Sequence, residues 1–264
     1  MSTTTAPNPL AELKAKQQQI WSSGDYNKIA AITVPVAESL VTHAGVRPGA
    51  RVLDVATGTG HAALAAARRS GDVTGIDYVP RLLEIAERRA AAEDLTVDFA
   101  EADAENLPFP DDSFDYVLSG IGVMFTADHQ RAAAELVRVC RPGGRVVLAS
   151  WTPTVLSNWP MKPVAQSPTR WGAEDSLRDL FGEDVVDVSF VTETVTQRFG
   201  SPEAFADLFL TYYGPTHKAA ERLAEDGRRA LRDDMVALAV AANRATDGTF
   251  VGDWEYLVGS ATKR

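Results

Sequence analysis

The stretch Arg51-Val52-Leu53-Asp54-Val55-Ala56-Thr57-Gly58-Thr59-Gly60-His61 constrains the fold more than any other part of the chain. A short apolar strand runs into a carboxylate and then into a small-residue turn with two glycines, where no Cβ blocks close approach of the backbone to a ligand. A helix follows at once over residues 61–67, so its N-terminal amides point at whatever fills the turn. Strand, turn and helix in this order make a nucleotide-type binding element.

Gly58-x-Gly60-x-x-Ala63 fits the loose G-x-G-x-x-G/A pattern of dinucleotide sites, although helix–strand packing also selects small residues at such positions. Asp77 ends a second predicted strand (Val73–Asp77), seventeen positions after Gly60. There it can accept both hydroxyls of a ribose, or cap the following helix. NAD and S-adenosylmethionine would use it equally well. Asp54 separates them: a carboxylate before the glycines repels a pyrophosphate and attracts an ammonium or sulfonium. A third strand, Thr96–Ala100, leads into Glu101-Ala102-Asp103-Ala104-Glu105, where Asp103 can accept the exocyclic amine of adenine and the Ala104 N–H can donate to a ring nitrogen. Tyr78 is placed to pack on the adenine or in the core. Asp112-Ser113 turns the chain into a fourth strand ending at Ser119, and Arg141-Pro142-Gly143-Gly144 precedes a fifth, Arg145–Trp151.

With these four ordered motifs, residues 20–151 resemble the class I S-adenosylmethionine-dependent methyltransferases, most closely the type 11 or ubiquinone/menaquinone methyltransferase-like branch. The resemblance implies S-adenosylmethionine as cofactor and S-adenosylhomocysteine as product. Carried over by position, it implies a cofactor site of Tyr26, Asp54, Gly58, Thr59, Gly60, Asp77, Tyr78, Asp103, Ala104 and Ser119. Tyr26 would close over the methionine end, although by itself it reads as a core residue; Ser119 would contact the cofactor or simply end its strand. One departure is Ala56, standing where the family's acidic-x-Gly-x-Gly-x-Gly run has its first glycine.

The expected architecture is a doubly wound, Rossmann-like α/β fold with a seven-stranded sheet, mostly parallel with the last strand antiparallel. Residues 1–47 form a tail and helical cover, with Ile29, Ile32, Val36, Leu40 and Val41 at helical spacing. Residues 48–151 form the cofactor-binding core, where strand and helix alternate. Residues 152–264 hold a sixth strand (Val185–Val191, continuing to Phe199), helices over 201–213, 217–225 and 228–246, and a last strand, Trp254–Thr262. By family analogy, strands six and seven pair at one sheet edge and the helices between them form a lid.

At 264 residues, with 45% hydrophobic and 23% charged side chains, the composition is that of an ordinary globular protein. A net charge of −10 argues against a nucleic-acid partner, which needs a basic face. No signal peptide, lipidation pattern or membrane-length apolar run is present, and the N-terminal run 1–9 reads as a frayed tail, so the expectation is a cytoplasmic protein without a membrane partner. The single cysteine, Cys140, has no metal-ligand neighbours and reads as a buried thiol on a helix face with Ala133, Leu136 and Val137. No metal is expected.

Trp151, Trp159, Met161, Trp171, Phe205, Phe209, Tyr212 and Tyr213 enrich the lid in large apolar side chains, which suits a medium-sized, partly apolar acceptor. Trp171, Phe209 and Tyr213 are the candidate acceptor contacts. His217, inside the lid, is the candidate general base; His61, His129 and His43 read as a helix-start residue, a surface residue beside a cap, and a helix end. The chemistry expected is in-line methyl transfer to a small acceptor, O- or C-methylation of a quinone-like or secondary-metabolite substrate, by a monomer or homodimer. The rival readings are a nicotinamide-dependent oxidoreductase and a cofactor-binding protein without catalysis.

Overall fold

The computed structural model describes residues 9–157, 159–160 and 166–264; Met161 and residues 1–8 of the expected tail lie outside them. Pro9, assigned to the tail by sequence, instead opens the first helix, where its missing N–H costs nothing. Three helices form the cover: α1 (Pro9–Trp21), α2 (Tyr26–Ala30) and α3 (Val34–Ala44). Then come β1 (Arg51–Val55), α4 (His61–Ala67), β2 (Asp72–Asp77), α5 (Pro80–Ala92), β3 (Asp98–Glu101), β4 (Phe114–Gly120), α6 (His129–Val139) and β5 (Cys140–Trp151). The remainder is α7 (Pro153–Ser157), α8 (Glu174–Phe181), β6 (Val185–Phe199), α9 (Pro202–Tyr212), α10 (Gly214–Glu221), α11 (Glu225–Ala242) and β7 (Phe250–Lys263).

The seven strands form one sheet in the order β3-β2-β1-β4-β5-β7-β6. β1 to β5 pair in parallel, and β7 runs antiparallel between β5 and β6. Parallel strands covered on both faces must be apolar almost throughout, which is why Val52, Leu53, Val55, Val117, Leu118, Val146 and Val147 are fully buried. Along β1 the side chains alternate: Val52 packs with α3 and α4, and Leu53 and Val55 pack with α6 and α8. From β1 the chain builds outward through β2 and β3, then returns to lay β4 against the other side of β1. The strand order reverses there, and the loops after β1 and β4 part to leave a crevice at their C-terminal ends.

Several boundaries differ from the sequence reading. The helix expected to reach Thr246 stops at Ala242, because the Asn243 side chain accepts hydrogen bonds from the Ala245 and Val251 N–H groups at 3.0 and 2.9 Å and turns the chain toward β7. Cys140 begins β5 instead of lying on a helix; it is buried, and burial pushes its thiol up to about 12. Helix α8, unrecognised by sequence, buries Leu177, Leu180 and Phe181 at helical spacing.

Helices α9 to α11 fold back over the crevice end of the sheet. Ser201 caps α9 by accepting from the Ala204 N–H at 3.2 Å. The fully buried Phe205 ring lies within 4.7–5.5 Å of the rings of Phe199, Phe209, Phe250 and Trp254. The cover helices meet this layer at Gly24, whose left-handed backbone (φ 70°) leaves no Cβ to strike the Tyr212 carbonyl, and the Asp25 N–H donates to that carbonyl at 3.2 Å. Phe205→Ala should destabilise the protein by about 3–5 kcal/mol in urea unfolding, since four rings would surround the void.

Candidate functional site

The turn after β1 is organised by Asp54. Its Oδ2 accepts from the Thr57 hydroxyl at 2.6 Å and from the Ala63 N–H of α4 at 2.9 Å. Its Oδ1 is buried and has no hydrogen-bond partner among the described residues. Burial raises this carboxyl to about 7, against the pull of the two hydrogen bonds and with the help of nearby Asp77. Ala56, where the family pattern has glycine, sits at φ 55°, a left-handed conformation that costs a residue with a Cβ about 1–2 kcal/mol.

Asp77, at the end of β2, holds the turn that leads into α5 and faces the crevice. Its Oδ2 accepts from the Gly58 N–H and its Oδ1 from the Val79 N–H, each at 2.9 Å. Burial lifts it to about 6. It lines a cleft of about 690 Å³ together with Tyr26, Gly58, Tyr78, Asp103 and Ala104. Thr59 lies beside Asp54 in an adjoining polar pocket of about 480 Å³. His61 lines that pocket as well, with its Nδ1 3.0 Å from the Arg89 guanidinium; because arginine only donates, this nitrogen is the acceptor and the proton sits on Nε2. Burial and Arg89 hold His61 neutral, near 3.

Helix α1 supplies a wall that sequence reasoning missed. Lys14 reaches Asp103 Oδ2 at 2.5 Å and Glu105 Oε2 at 2.6 Å, and Gln17 donates to the Phe125 carbonyl at 2.9 Å. The sequence of α1 mixes Leu10, Leu13, Ile20 and Trp21 with lysines and glutamines, and nothing in it singles out Lys14 from Lys16. Glu105, which sequence alone marks only as an acidic neighbour of Asp103, is buried; its Oε1 accepts from the Ala127 and Asp128 N–H groups at 2.7 and 2.9 Å and so fixes the loop after β4.

Beyond the cleft lies an apolar chamber of about 640 Å³, lined by Trp159, Phe209, Tyr213 and Trp254 among others. Tyr26 and Ile121 border the cleft, the polar pocket and the chamber alike. Ile121 holds a left-handed backbone (φ 54°), a rare state for a β-branched residue, and its N–H is pinned to the Ala149 carbonyl at 2.8 Å. Burial pushes the Tyr26 phenol up to about 12 and Tyr213 further still.

Other expected site residues lie elsewhere. Ser119 spends its hydroxyl inside the sheet, donating to the Val55 carbonyl at 2.7 Å and accepting from the Val123 N–H at 3.1 Å. It lines none of the three cavities. Gly60 also stays outside them: at φ 85°, a Cβ on it would lie 3.0 Å from the Ala86 Cβ, so it serves the approach of α5. Trp171, expected in the acceptor site, is fully buried on the opposite sheet face with α8. There its ring stands 5.7 Å from that of His129, which is itself buried and held neutral near 4, not a surface residue. His217, expected as a general base, sits on α10 with its Nδ1 3.2 Å from the Leu210 carbonyl and its Nε2 3.2 Å from Glu221, outside the chamber.

Comparison with known proteins decides the family. Residues 53–148 match the methyltransferase domain family. A protein of Mycobacterium tuberculosis, itself uncharacterised, is 39% identical over 264 residues, covering 96% of each chain. The demethylmenaquinone methyltransferase of Thermus thermophilus is 48% identical over 105 residues, 39% of this chain and 48% of that enzyme. Among solved structures, a putative methyltransferase of Bacillus halodurans superposes with a TM-score of 0.60 over 86% of this chain and 98% of that one, at 20% identity, which shows a shared fold. The chain belongs to the class I S-adenosylmethionine-dependent methyltransferases. Among the described residues, no helix is long and apolar enough to cross a membrane.

The residues present fit that family's cofactor. The Asp54 Oδ1, unpaired among the described residues, offers a buried acceptor beside the turn, and Asp77 keeps lone pairs for two hydroxyls. Both carboxyls are held above their ordinary 3.8, so their neutral forms favour the folded state; that stability is complete below about pH 4 and is lost as pH rises through 6 to 7. A cationic ligand needs the ionised forms. Affinity for S-adenosylmethionine should therefore rise roughly tenfold between about pH 5.5 and 7.5, with protons released on binding. Calorimetry in buffers of different ionisation heat measures both, and Asp54→Asn should flatten the upper part of the rise.

Proposed function

We propose that this methyltransferase transfers the methyl group of S-adenosylmethionine to a neutral, largely apolar small molecule held in the chamber, on oxygen or on carbon. The observation that carries this reading is the shared border: a cleft with carboxylates and an apolar chamber meet at Tyr26 and Ile121.

When bound, the cofactor supplies a methyl group already activated by its sulfonium. Asp77 would hold the ribose hydroxyls, Tyr78 the adenine face, and Asp54 the ammonium. Asp103 and Ala104 would lie along the adenine edge, with Asp103 also carrying its ion pair to Lys14. Tyr26 and Ile121 would align the sulfonium end with the acceptor, and Phe209 and Tyr213 would exclude water from the acceptor side.

The chamber lining contains no carboxylate, imidazole, lysine or arginine among the described residues. Its phenols Tyr26 and Tyr213 hold their protons too tightly to act as bases at neutral pH. The acceptor must therefore supply its own acidity. This favours a phenol, enol or activated carbon acid over a protonated amine, which would find no counter-charge among the described lining residues. A secondary metabolite of this kind, such as a quinone precursor, fits the reading.

Titration of the purified protein should show micromolar binding of S-adenosylmethionine and none of NAD. Asp77→Ala should weaken it at least about tenfold, the scale of losing hydrogen bonds to a charged group. Absence of S-adenosylmethionine binding would overturn the reading. His217→Ala should leave turnover within about twofold of wild type, because a substitution outside the chamber removes no transition-state contact.

A further inference from the structure

Within the chamber two polar atoms make no hydrogen bond to the described residues. Gln197 on β6 is 5% exposed and Trp254 on β7 is 6% exposed, and both line the chamber. The Gln197 amide oxygen and the Trp254 indole nitrogen are buried with no hydrogen-bond partner among the described residues. Buried polar atoms are nearly always satisfied, and leaving one unpaired is costly, so two in one apolar cavity mark a place where a ligand completes the bonding.

Their placement is fixed by the sheet. Val195 stands opposite Trp254 and Gln197 opposite Gly252, so Gln197 and Trp254 project from the same face as diagonal neighbours. The Trp254 ring is held in stacking contact with Phe205, 5.5 Å between centroids and 12° between planes. The indole can only donate, while the amide oxygen can only accept. A hydroxyl is the simplest group that satisfies both at once. It accepts from the indole N–H and donates to the amide oxygen.

We infer that Gln197 and Trp254 are the specificity-determining pair of the acceptor site, and that they select an uncharged, apolar acceptor bearing a hydroxyl group seated between them. This rests on the methyl-transfer reading of the chamber. A molecule with methyl in place of that hydroxyl leaves both protein groups unpaired and is rejected, whereas a cavity of apolar side chains alone would accept either.

The test compares 2-naphthol with 2-methylnaphthalene, which differ by hydroxyl against methyl, by equilibrium dialysis with S-adenosylhomocysteine present. Wild type should prefer 2-naphthol about tenfold or more, the scale of a site built to bond a hydroxyl. In Gln197→Leu and in Trp254→Phe that preference should fall to about threefold or less, with 2-methylnaphthalene bound as well as before. Independently of any ligand, Gln197→Leu should raise the melting temperature by about 2 °C or more, because it removes an unpaired buried amide. A wild type without the preference, a preference that survives in either variant, or a fall in melting temperature for Gln197→Leu would each overturn the inference. Titration of the same samples with S-adenosylmethionine keeps the two readings apart. Failure to bind it sinks methyl transfer, whereas normal binding without hydroxyl preference sinks the Gln197–Trp254 pair alone.

Discussion

The Asp54 carboxylate accepts from the Thr57 hydroxyl and from the first turn of α4, and this clamp sets the path of the chain between β1 and its helix. With the turn so held, the Gly58 N–H meets Asp77 across the gap to β2, which ties two strand ends into one rim. Ser119 ties the other side, bridging the β1 and β4 ends through the Val55 carbonyl and the Val123 N–H. The reversal of strand order at β1 opens a crevice, and these three polar side chains keep it open at a fixed width. Burial raises both carboxyls toward neutrality, nearby Asp77 adding to the rise at Asp54, a cost offset when a cation arrives.

Two strained residues stand where the cavities meet. Ala56 and Ile121 both occupy left-handed backbone next to the junction, and both are held there by bonded neighbours: the Thr57 N–H donates to the Ile76 carbonyl, and the Ile121 N–H to the Ala149 carbonyl. Residues kept in such states by their surroundings mark functional sites in folded proteins. Behind them the aromatic layer centred on Phe205 gives the chamber rigid walls, so its shape is set before any ligand enters.

The parallel core was legible in the sequence because apolar strands alternate with helices and end in carboxylates at the same sheet edge; Asp54 and Asp77 could be located from that pattern. Contacts made across long sequence separations were not legible. Lys14 meets Asp103 from 89 residues away, and no local feature of its helix announces it. His129 and Trp171 look like an exposed cap neighbour and a lid residue, yet they pack together behind the sheet, in the layer to which α8, a helix the sequence did not reveal, also belongs. His217 stands in an aromatic-rich segment, but on α10 its ring nitrogens face the Leu210 carbonyl and Glu221. Gln197 lies within an ordinary alternating strand; only the pairing of β6 with β7 brings it to the sheet face that carries Trp254.

The central claim is that the methyl group crosses between cleft and chamber at Tyr26 and Ile121. A crystal structure of the complex with S-adenosylhomocysteine tests it most directly. The account predicts the ribose against Asp77 and the sulfur between Tyr26 and Ile121, facing Phe209 and Tyr213. A sulfur turned away from that junction, or an adenosine lodged in the apolar chamber, would contradict it.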